Sequence, residues 1–186
     1  NGSIALLSNG QDCRLVAFNN AEDEEGNASI KLIGEINASP VITPESRFYT
    51  MKYNDYMFFV SGSKLYRYNM LDIITGTPPS ERNVVMQLSE LGYETNAKIT
   101  TLCVSRSEKT MLLTVSRYGT DTEAMTEELK GDLLYFNLNA KTLEINHVPE
   151  KSHTGIAGYP VDLQIKYQAH WRDGLYIDGT TEMDNI

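Results

Sequence analysis

Residues 56–60, YMFFV, and residues 64–69, KLYRYN, form the clearest β-hairpin pattern in this chain: two apolar and aromatic runs joined by a short turn. The pattern occurs twice more, and each copy closes on an apolar strand that ends in Asn. The other two copies are residues 4–7 with 14–19 and residues 111–115 with 132–137. Self-similarity at a period of roughly 20–50 residues indicates an array of similar units, each too small to bury its faces alone.

Flanking apolar runs supply the outer strands that a four-stranded unit needs. These predicted strands are residues 30–36, 47–53, 84–88, 99–105 and 143–148. One further run, VDLQIKY at 161–167, alternates apolar and polar residues, which is the pattern of a half-buried strand. Units of four antiparallel strands at this spacing are typical of β-propeller blades.

We therefore predict an all-β fold, a β-propeller-like array of about three four-stranded antiparallel blades, in a single domain over residues 1–186. A propeller ring closes with about four to eight blades. Three blades and one extra strand would form an incomplete propeller, so the chain is expected to be the C-terminal part of a longer protein, or to pair its ends with another segment or copy. A two-sheet β-sandwich of similar strands is the alternative.

Composition favours a globular domain. Apolar residues make up 41% of the chain, and eleven are Tyr, which argues against wholesale disorder. No apolar run approaches the roughly 20 residues of a membrane-spanning helix, so no transmembrane segment is predicted. The net charge of −9 disfavours phosphate backbones and anionic membranes, and we predict no nucleic-acid partner.

The two cysteines fall in separate copies of the repeat. Cys13 lies where a hairpin turn is predicted and is expected to be exposed, whereas Cys103 lies in an apolar strand and is expected to be buried. Sequence leaves open whether the two form a disulfide. Without a dense cysteine framework, the fold does not depend on such bridges.

An insertion at residues 119–131 separates the strands of the third hairpin. Thr120 and Glu123 match a capping box, and Gly131 is a natural helix stop. We expect a short helix on a loop between two strands. This loop would be a decorated hairpin or, alternatively, a lid or partner surface, because loops on rigid scaffolds often carry binding.

Motifs that would indicate an enzyme or a metal site are missing from the sequence. The acidic run at 22–25 fails the EF-hand register at both ends and is expected to be a solvated hairpin tip. His147, His153 and His170 lack the i, i+4 partner of a helical metal site. No nucleophile elbow, phosphate-binding loop or Cys-x-x-Cys pair occurs. We predict no catalytic residue, no metal site and no cofactor.

A polar and aromatic group near the end of the chain is the candidate ligand-binding site. It consists of Trp171 with Tyr167, His170, Arg172 and Tyr176. Such a mixture suits sugars, because a flat ring packs against C–H groups while polar neighbours bind the hydroxyls. The alternative is that Trp171 fills a gap between blades or caps an edge of the core.

Three segments, LYRYN at 65–69, GDLLYFNL at 131–138 and GYPVDLQIKY at 158–167, resemble the propeller part of PKD-like-family lipoproteins of gut Bacteroidetes, with blades of the YVTN/WD type. The resemblance runs over most of the chain through blade motifs. It implies an exported protein of the periplasm or cell surface, lipid-anchored through an upstream segment that is not in this chain. It also implies an association with glycan capture, and the family has no catalytic residues to transfer.

The sequence therefore predicts a non-catalytic binding or interaction module of the cell envelope, with a glycan or an envelope protein as partner. One alternative is a carbohydrate-active enzyme domain, which two carboxyl groups about 5–10 Å apart in a cleft would favour. The other is a scaffold that pairs with a partner protein through an open blade edge, which a long uncovered edge strand would favour.

Overall fold

The fold is all-β, and the described residues include one short α-helix. The computed structural model describes residues 2–22, 24–50, 56–104, 110–121, 126–139, 144–146, 148–149, 151–157, 170–172 and 175–177. Over these residues the strands form three consecutive sheets and a short final pair. By its contacts the chain divides into two compact units, Asn1–Ser61 with Tyr66–Val84 and Gly62–Leu65 with Val85–Ile186.

The first sheet is a three-stranded antiparallel meander in the order β1-β2-β3. Its strands are β1 (Gly2–Ser8), β2 (Cys13–Glu22) and β3 (Ala28–Asn37). The register between β2 and β3 shifts at Ala17/Phe18, which is a β-bulge.

The second sheet has the order β4-β5-β6-β7, again in chain order. Its strands are β4 (Arg47–Thr50), β5 (Tyr56–Ser61), β6 (Lys64–Asn69) and β7 (Val84–Gln87). Between β6 and β7 lie the helix α1 (Leu71–Thr75) and a 3₁₀ turn, Glu81–Asn83.

The third sheet has the order β8-β9-β10-β11 and is antiparallel throughout. Its strands are β8 (Lys98–Val104), β9 (Thr110–Asp121), β10 (Thr126–Asn137) and β11 (Lys151–Ala157). A 3₁₀ turn, Leu88–Leu91, precedes it. The final pair consists of β12 (His170–Arg172) and β13 (Leu175–Ile177).

The three predicted hairpins are confirmed as β1–β2, β5–β6 and β9–β10. The outer strands predicted at residues 30–36, 84–88 and 99–105 are also present, as β3, β7 and β8. The strand predicted at 47–53 begins at Arg47 and is described as far as Thr50. The strand predicted at residues 161–167 lies outside the described residues.

The strand predicted at residues 143–148 is only a short bridge in the described part of this segment, and β11 provides the fourth strand of the sheet. Ile145 bridges Leu138, the Asn139 amide donates to the carbonyl of Glu144, and the Asn146 amide donates to the carbonyl of Asn137. Residues 144–146 therefore pair with the end of β10, and Ile145 is buried there.

The short helix predicted within residues 119–131 is wrong for the described residues of this insertion. Here the β9–β10 ladder continues as far as the pair Thr126–Asp121, with Leu129 opposite Tyr118. Extending a ladder adds hydrogen bonds to strands already in register, whereas a short helix must first be nucleated at a cost. The β-branched threonines here also favour extended backbone.

The exposure predicted for Cys13 is wrong, and the burial predicted for Cys103 is only partial. Cys13 is the first residue of β2 and is buried, because alternation places it on the same face as the buried Leu15. Cys103 is half-buried, since its neighbours Leu102 and Val104 occupy the buried face of β8. Neither cysteine forms a disulfide.

Aromatic side chains form much of the core of the first unit. The rings of Phe59 and Tyr66 stack with centroids 4.6 Å apart and planes 2° from parallel, and Phe48 packs against Phe59 at 5.7 Å. Tyr68 is fully buried and donates a hydrogen bond to the carbonyl of Thr77. The expectation that the aromatic residues of the repeated strands pack in the core is confirmed for Tyr66 and Tyr68.

The centre of the second unit is the β9–β10 hairpin. Consecutive residues of β9 from Met111 to Ser116 are all buried, so both faces of this strand are covered. Phe136 of β10 is fully buried as predicted, whereas Tyr135 is half-buried.

In the described part of the chain, no helix has the length and apolar content needed to span a membrane.

Candidate functional site

A buried carboxylate, Asp132, joins three elements of the second unit. Its Oδ2 accepts hydrogen bonds from Arg117 Nε at 2.7 Å and from the Tyr93 hydroxyl at 3.0 Å. Its Oδ1 accepts from the Gly155 amide at 2.7 Å and from Arg117 Nη2 at 3.3 Å. The Asp132 side chain is only 1% exposed, and these four donors satisfy it.

The register of the β9–β10 hairpin brings Arg117 to Asp132. Asp132 lies directly opposite Val115, so Arg117, two residues further along β9, is its diagonal neighbour on the same face. The guanidinium approaches with two N–H groups, the forked geometry that binds a carboxylate most strongly.

A β-bulge supplies the Gly155 amide. Between the pairs Gly131–Ile156 and Leu133–His153, two residues of β11 face the single residue Asp132. Gly155 adopts φ +73°, a left-handed conformation that costs glycine little. This turn of the backbone directs the amide at Asp132 instead of at the strand ladder.

The 3₁₀ turn Leu88–Leu91 positions Tyr93. The turn ends at Gly92 with φ +81°, and the Tyr93 amide then donates to the carbonyl of Leu88. The chain therefore reverses immediately before Tyr93, and the phenol extends to Asp132.

The electrostatics of this cluster favour a permanent ion pair. Burial alone would raise the pKa of Asp132, but the hydrogen bonds from Arg117, Gly155 and Tyr93 outweigh it and hold the pKa below its usual value. The pKa of Tyr93 is raised by burial and by the negative charge of Asp132. The pKa of Arg117 is raised chiefly by its hydrogen bond to Asp132. At neutral pH the carboxylate is charged and the phenol is neutral.

A cleft of about 360 Å³ opens beside this cluster, within the second unit. That volume is near the lower end of the roughly 300–1,000 Å³ of small-molecule sites. Its polar and aromatic lining includes Tyr93, Glu94, Asn96, Arg117, Tyr118 and Thr154.

Two side chains of the cleft are both accessible and well placed for binding. Tyr118 is 53% exposed, which leaves a ring face open to a ligand. The Arg117 side chain is 29% exposed, and its bonds to Asp132 use two of the five N–H donors of a guanidinium. Arg117 therefore has a fixed position in the cleft lining, and three of its five N–H donors are not used by Asp132.

The cleft lining contains two carboxyl groups, Asp132 and Glu94. Asp132 is the one buried charged side chain among the described residues, and it accepts four hydrogen bonds in its ionised form. A general acid needs a raised pKa, whereas that of Asp132 is lowered. Glu94 is exposed to solvent. The arrangement is suited to holding a ligand.

The ligand-binding group predicted from sequence lies at the final strand pair. The backbone register places Trp171 opposite Tyr176, His170 opposite Ile177 and Arg172 opposite Leu175. Tyr167 and the side chains of this pair lie outside the described residues. Their role in binding stays a prediction.

The sequence also drew attention to the acidic run at 22–25 and to the histidines. Glu22, Glu24 and Glu25 are exposed around the turn between β2 and β3, which confirms a solvated hairpin tip. His153 is exposed on β11, and His147 lies outside the described residues. Within the described part of the chain, no three His, Cys, Asp or Glu side chains are grouped as metal ligands would be.

Sequence reasoning missed the cluster at Asp132. A signal was present, since the third hairpin has Arg117 after its first apolar strand and Asp132 at the start of its second, and antiparallel pairing brings those ends together. Tyr93 and Gly155 had no comparable signal, because a turn and a bulge bring them in from distant positions.

No family model matches this chain, and no curated protein matches it either. The geometry of the site and the pattern of the strands are therefore the basis for a proposed function.

Proposed function

We propose that this chain is a non-catalytic saccharide-binding module of the cell envelope, and that its ligand occupies the cleft beside Arg117. The observation that carries the proposal is the pairing of a fixed, partly exposed guanidinium with an exposed tyrosine ring, Tyr118, at one cleft. Rigidly held polar groups bind with little loss of conformational freedom, which preserves affinity for small ligands.

The chemistry of the lining favours a neutral polyhydroxyl ligand. The ring of Tyr118 offers a face for the C–H groups of a sugar, Arg117 offers donors, and Glu94 and Asn96 offer acceptors for hydroxyl groups. Asp132 already neutralises Arg117, and the chain carries a net charge of −9. Both features weaken the attraction for an anionic ligand.

The state of Asp132 supports binding over catalysis. An acid–base role would require it to exchange a proton, but four donors and a lowered pKa stabilise its ionised form. The carbohydrate-active enzyme considered from the sequence would need its catalytic pair elsewhere.

A propeller-like arrangement of the sheets is the architecture we propose for this module. Its support is the succession of three meanders in chain order, each built around one copy of the repeated hairpin. The envelope location and the lipid anchor rest on the resemblance of the blade motifs to exported lipoproteins. A β-sandwich remains the alternative arrangement of the same sheets.

A thermal-shift screen against neutral and acidic oligosaccharides tests the proposed function, because a ligand of the native state raises its melting temperature. We expect a saturable shift with a neutral saccharide, lost in Tyr118→Ala. Ile156→Ala is the matched control, since Ile156 is also 53% exposed and lies outside the cleft lining. An equal shift in Tyr118→Ala and wild type would place the ligand elsewhere, and no shift with any sugar would refute the proposal.

A further inference from the structure

The acceptor pattern for N-linked saccharides, Asn-x-Ser with x other than Pro, occurs three times in this chain. The copy at residues 1–3 begins at Asn1, which lies outside the described residues. The copies at residues 27–29 and 37–39 both read Asn-Ala-Ser, and each has a Glu two residues before its Asn. Because so short a pattern also arises by chance, the structure around each copy determines whether it can be used.

Asn27 lies at the tip of the hairpin formed by β2 and β3. Asn27 and Ala28 are exposed, and Ser29 is half-buried. Ala28 forms the last pair of the ladder, opposite Glu22, and Ser29 belongs to the pair before it. The terminal pairs of a hairpin open at low free energy, so this segment can enter the groove of an enzyme while the rest of the sheet stays folded.

The side chain of Glu25 contacts the amide that would accept the saccharide. Asn27 Nδ2 donates a hydrogen bond of 3.4 Å to Glu25 Oε2. An amide nitrogen is a weak nucleophile, because its lone pair is delocalised into the carbonyl group. A carboxylate that accepts one of its N–H groups increases the electron density on the nitrogen, as an adjacent base does for other nucleophiles. The surroundings of Asn27 therefore favour reaction at Nδ2.

The copy at Asn37 has the same residue types, but hydrogen bonds hold it within the fold. Ala38 is 1% exposed, and its amide donates to the carbonyl of Cys13 at 2.8 Å. Ser39 Oγ accepts a hydrogen bond of 2.7 Å from the Cys13 amide. Asn37 Oδ1 accepts one of 3.0 Å from the Ser39 amide. An enzyme that recognises both the Asn amide and the Ser hydroxyl could bind this copy only after these bonds break.

We propose that Asn27, and not Asn37, is an N-glycosylation site of the folded protein. An oligosaccharyltransferase is the catalyst, and a polyprenyl-diphosphate-linked oligosaccharide is the donor. A bond forms between Asn27 Nδ2 and the anomeric carbon of the donor, and the bond between that carbon and the diphosphate oxygen breaks. The diphosphate leaves with the electron pair, and Nδ2 releases one proton to solvent. The modification requires the exported location proposed above, but it does not depend on the saccharide cleft.

Transfer in vitro to the purified, folded chain tests the site without depending on export. The chain is incubated with a single-subunit oligosaccharyltransferase and a lipid-linked oligosaccharide, and its tryptic peptides are analysed by mass spectrometry. Cleavage after Lys31 places the two sites in different peptides. We expect a saccharide on Asn27 and an occupancy of Asn37 about tenfold lower or less, because Asn37 reacts only after local opening. Asn27→Gln should remove the modification of its peptide, and the matched control Asn37→Gln should retain it.

Two synthetic peptides separate the effect of the fold from that of the sequence. Residues 23–31 and 33–39 contain the two motifs without the fold, and the second peptide ends before Pro40. Both peptides should be modified at similar rates. An unmodified Asn27 in the folded chain, or equal occupancy of Asn27 and Asn37 there, would overturn the proposal. Modification in vitro of a chain that carries no glycan when isolated from its own cells would instead contradict the exported location.

Discussion

Arg117 lies diagonally across the β9–β10 ladder from Asp132, and its Nε donates a hydrogen bond of 2.7 Å to Asp132 Oδ2. The pair is asymmetric in its exposure, since the carboxylate is 1% exposed and the guanidinium side chain 29%. One partner therefore anchors the pair within the protein and the other presents it at the surface. Asp132 is therefore a positioning residue, because it holds the guanidinium of Arg117 in the lining of the cleft.

Removing the charge of Asp132 should destabilise the protein. We expect Asp132→Asn to lower the free energy of unfolding by about 2 kcal/mol, because Arg117 loses its counter-ion and a neutral amide accepts hydrogen bonds more weakly than a carboxylate. Urea denaturation followed by circular dichroism measures this loss.

The matched control for that change is Glu35→Gln, at the exposed ion pair of Glu35 with Arg14. Solvent screens that pair, so its loss should leave the stability nearly unchanged. Equal destabilisation by the two substitutions would mean that the burial of Asp132 contributes nothing.

Acid should weaken the fold in a way that depends on Asp132. Because its pKa is lower in the folded than in the unfolded state, its contribution is fully present above the unfolded value of about 4 and declines as the pH falls through the folded pKa. The difference in unfolding free energy between wild type and Asp132→Asn should therefore shrink below about pH 4. A constant difference from neutral pH to strong acid would contradict this linkage.

Alkali should act through Tyr93. Burial and the charge of Asp132 raise its pKa in the folded state, so its contribution is present below the unfolded value of about 10 and is lost as the pH rises toward the folded pKa. Tyr93→Phe should cost about 1 kcal/mol at neutral pH, the usual net value of one hydrogen bond. Urea titrations at neutral and alkaline pH should show this cost diminishing above about pH 10. Tyr68, whose pKa is also raised by burial, stays in both proteins and is an internal reference.

The helix α1 packs against β3 at a position that requires glycine. A Cβ on Gly34 would lie 2.7 Å from the carbonyl oxygen of Ile73 and 2.9 Å from Cα of Ile74, both of them backbone atoms. Gly34→Ala should therefore force α1 away from the sheet and cost about 1–3 kcal/mol. Ser29→Ala on the same strand should change the melting temperature little, and a similar melting temperature for the two variants would show that α1 moves freely.

The repeated hairpins were predictable from sequence because they are local. Runs such as YMFFV at 56–60 alternate or are uniformly apolar, and the short turns between them determine which strands pair. Pairing over longer intervals was not predictable in the same way. Ile145 has the apolar character of a strand residue, yet it forms only a bridge with Leu138. The strand that pairs with residues 130–135 of β10 is β11, and the apolar pattern of the sequence does not predict that pairing. The insertion at 119–131 contains residues that can cap a helix, but its described residues extend a ladder that is already in register.

The candidate cleft was less predictable than the fold. Arg117 and Asp132 are close because of hairpin register, which sequence indicates, but Tyr93 reaches Asp132 only through a left-handed Gly92. The sequence predicted a ligand-binding group at Trp171 because aromatic and polar residues are adjacent there along the chain. Binding sites usually combine residues that are distant in sequence, and adjacency is a weak guide to them.

An NMR titration of the ¹⁵N-labelled chain with a mixture of neutral oligosaccharides tests the central claim most directly. If the cleft binds sugar, the amide signals of Gly92, Asn96, Tyr118 and Thr154 should shift together and saturate, and the Arg117 Nε–H signal should shift with them. Shifts confined to Trp171 and its neighbours would move the site to the final strand pair. No saturable shift at either place would contradict the saccharide-binding function itself.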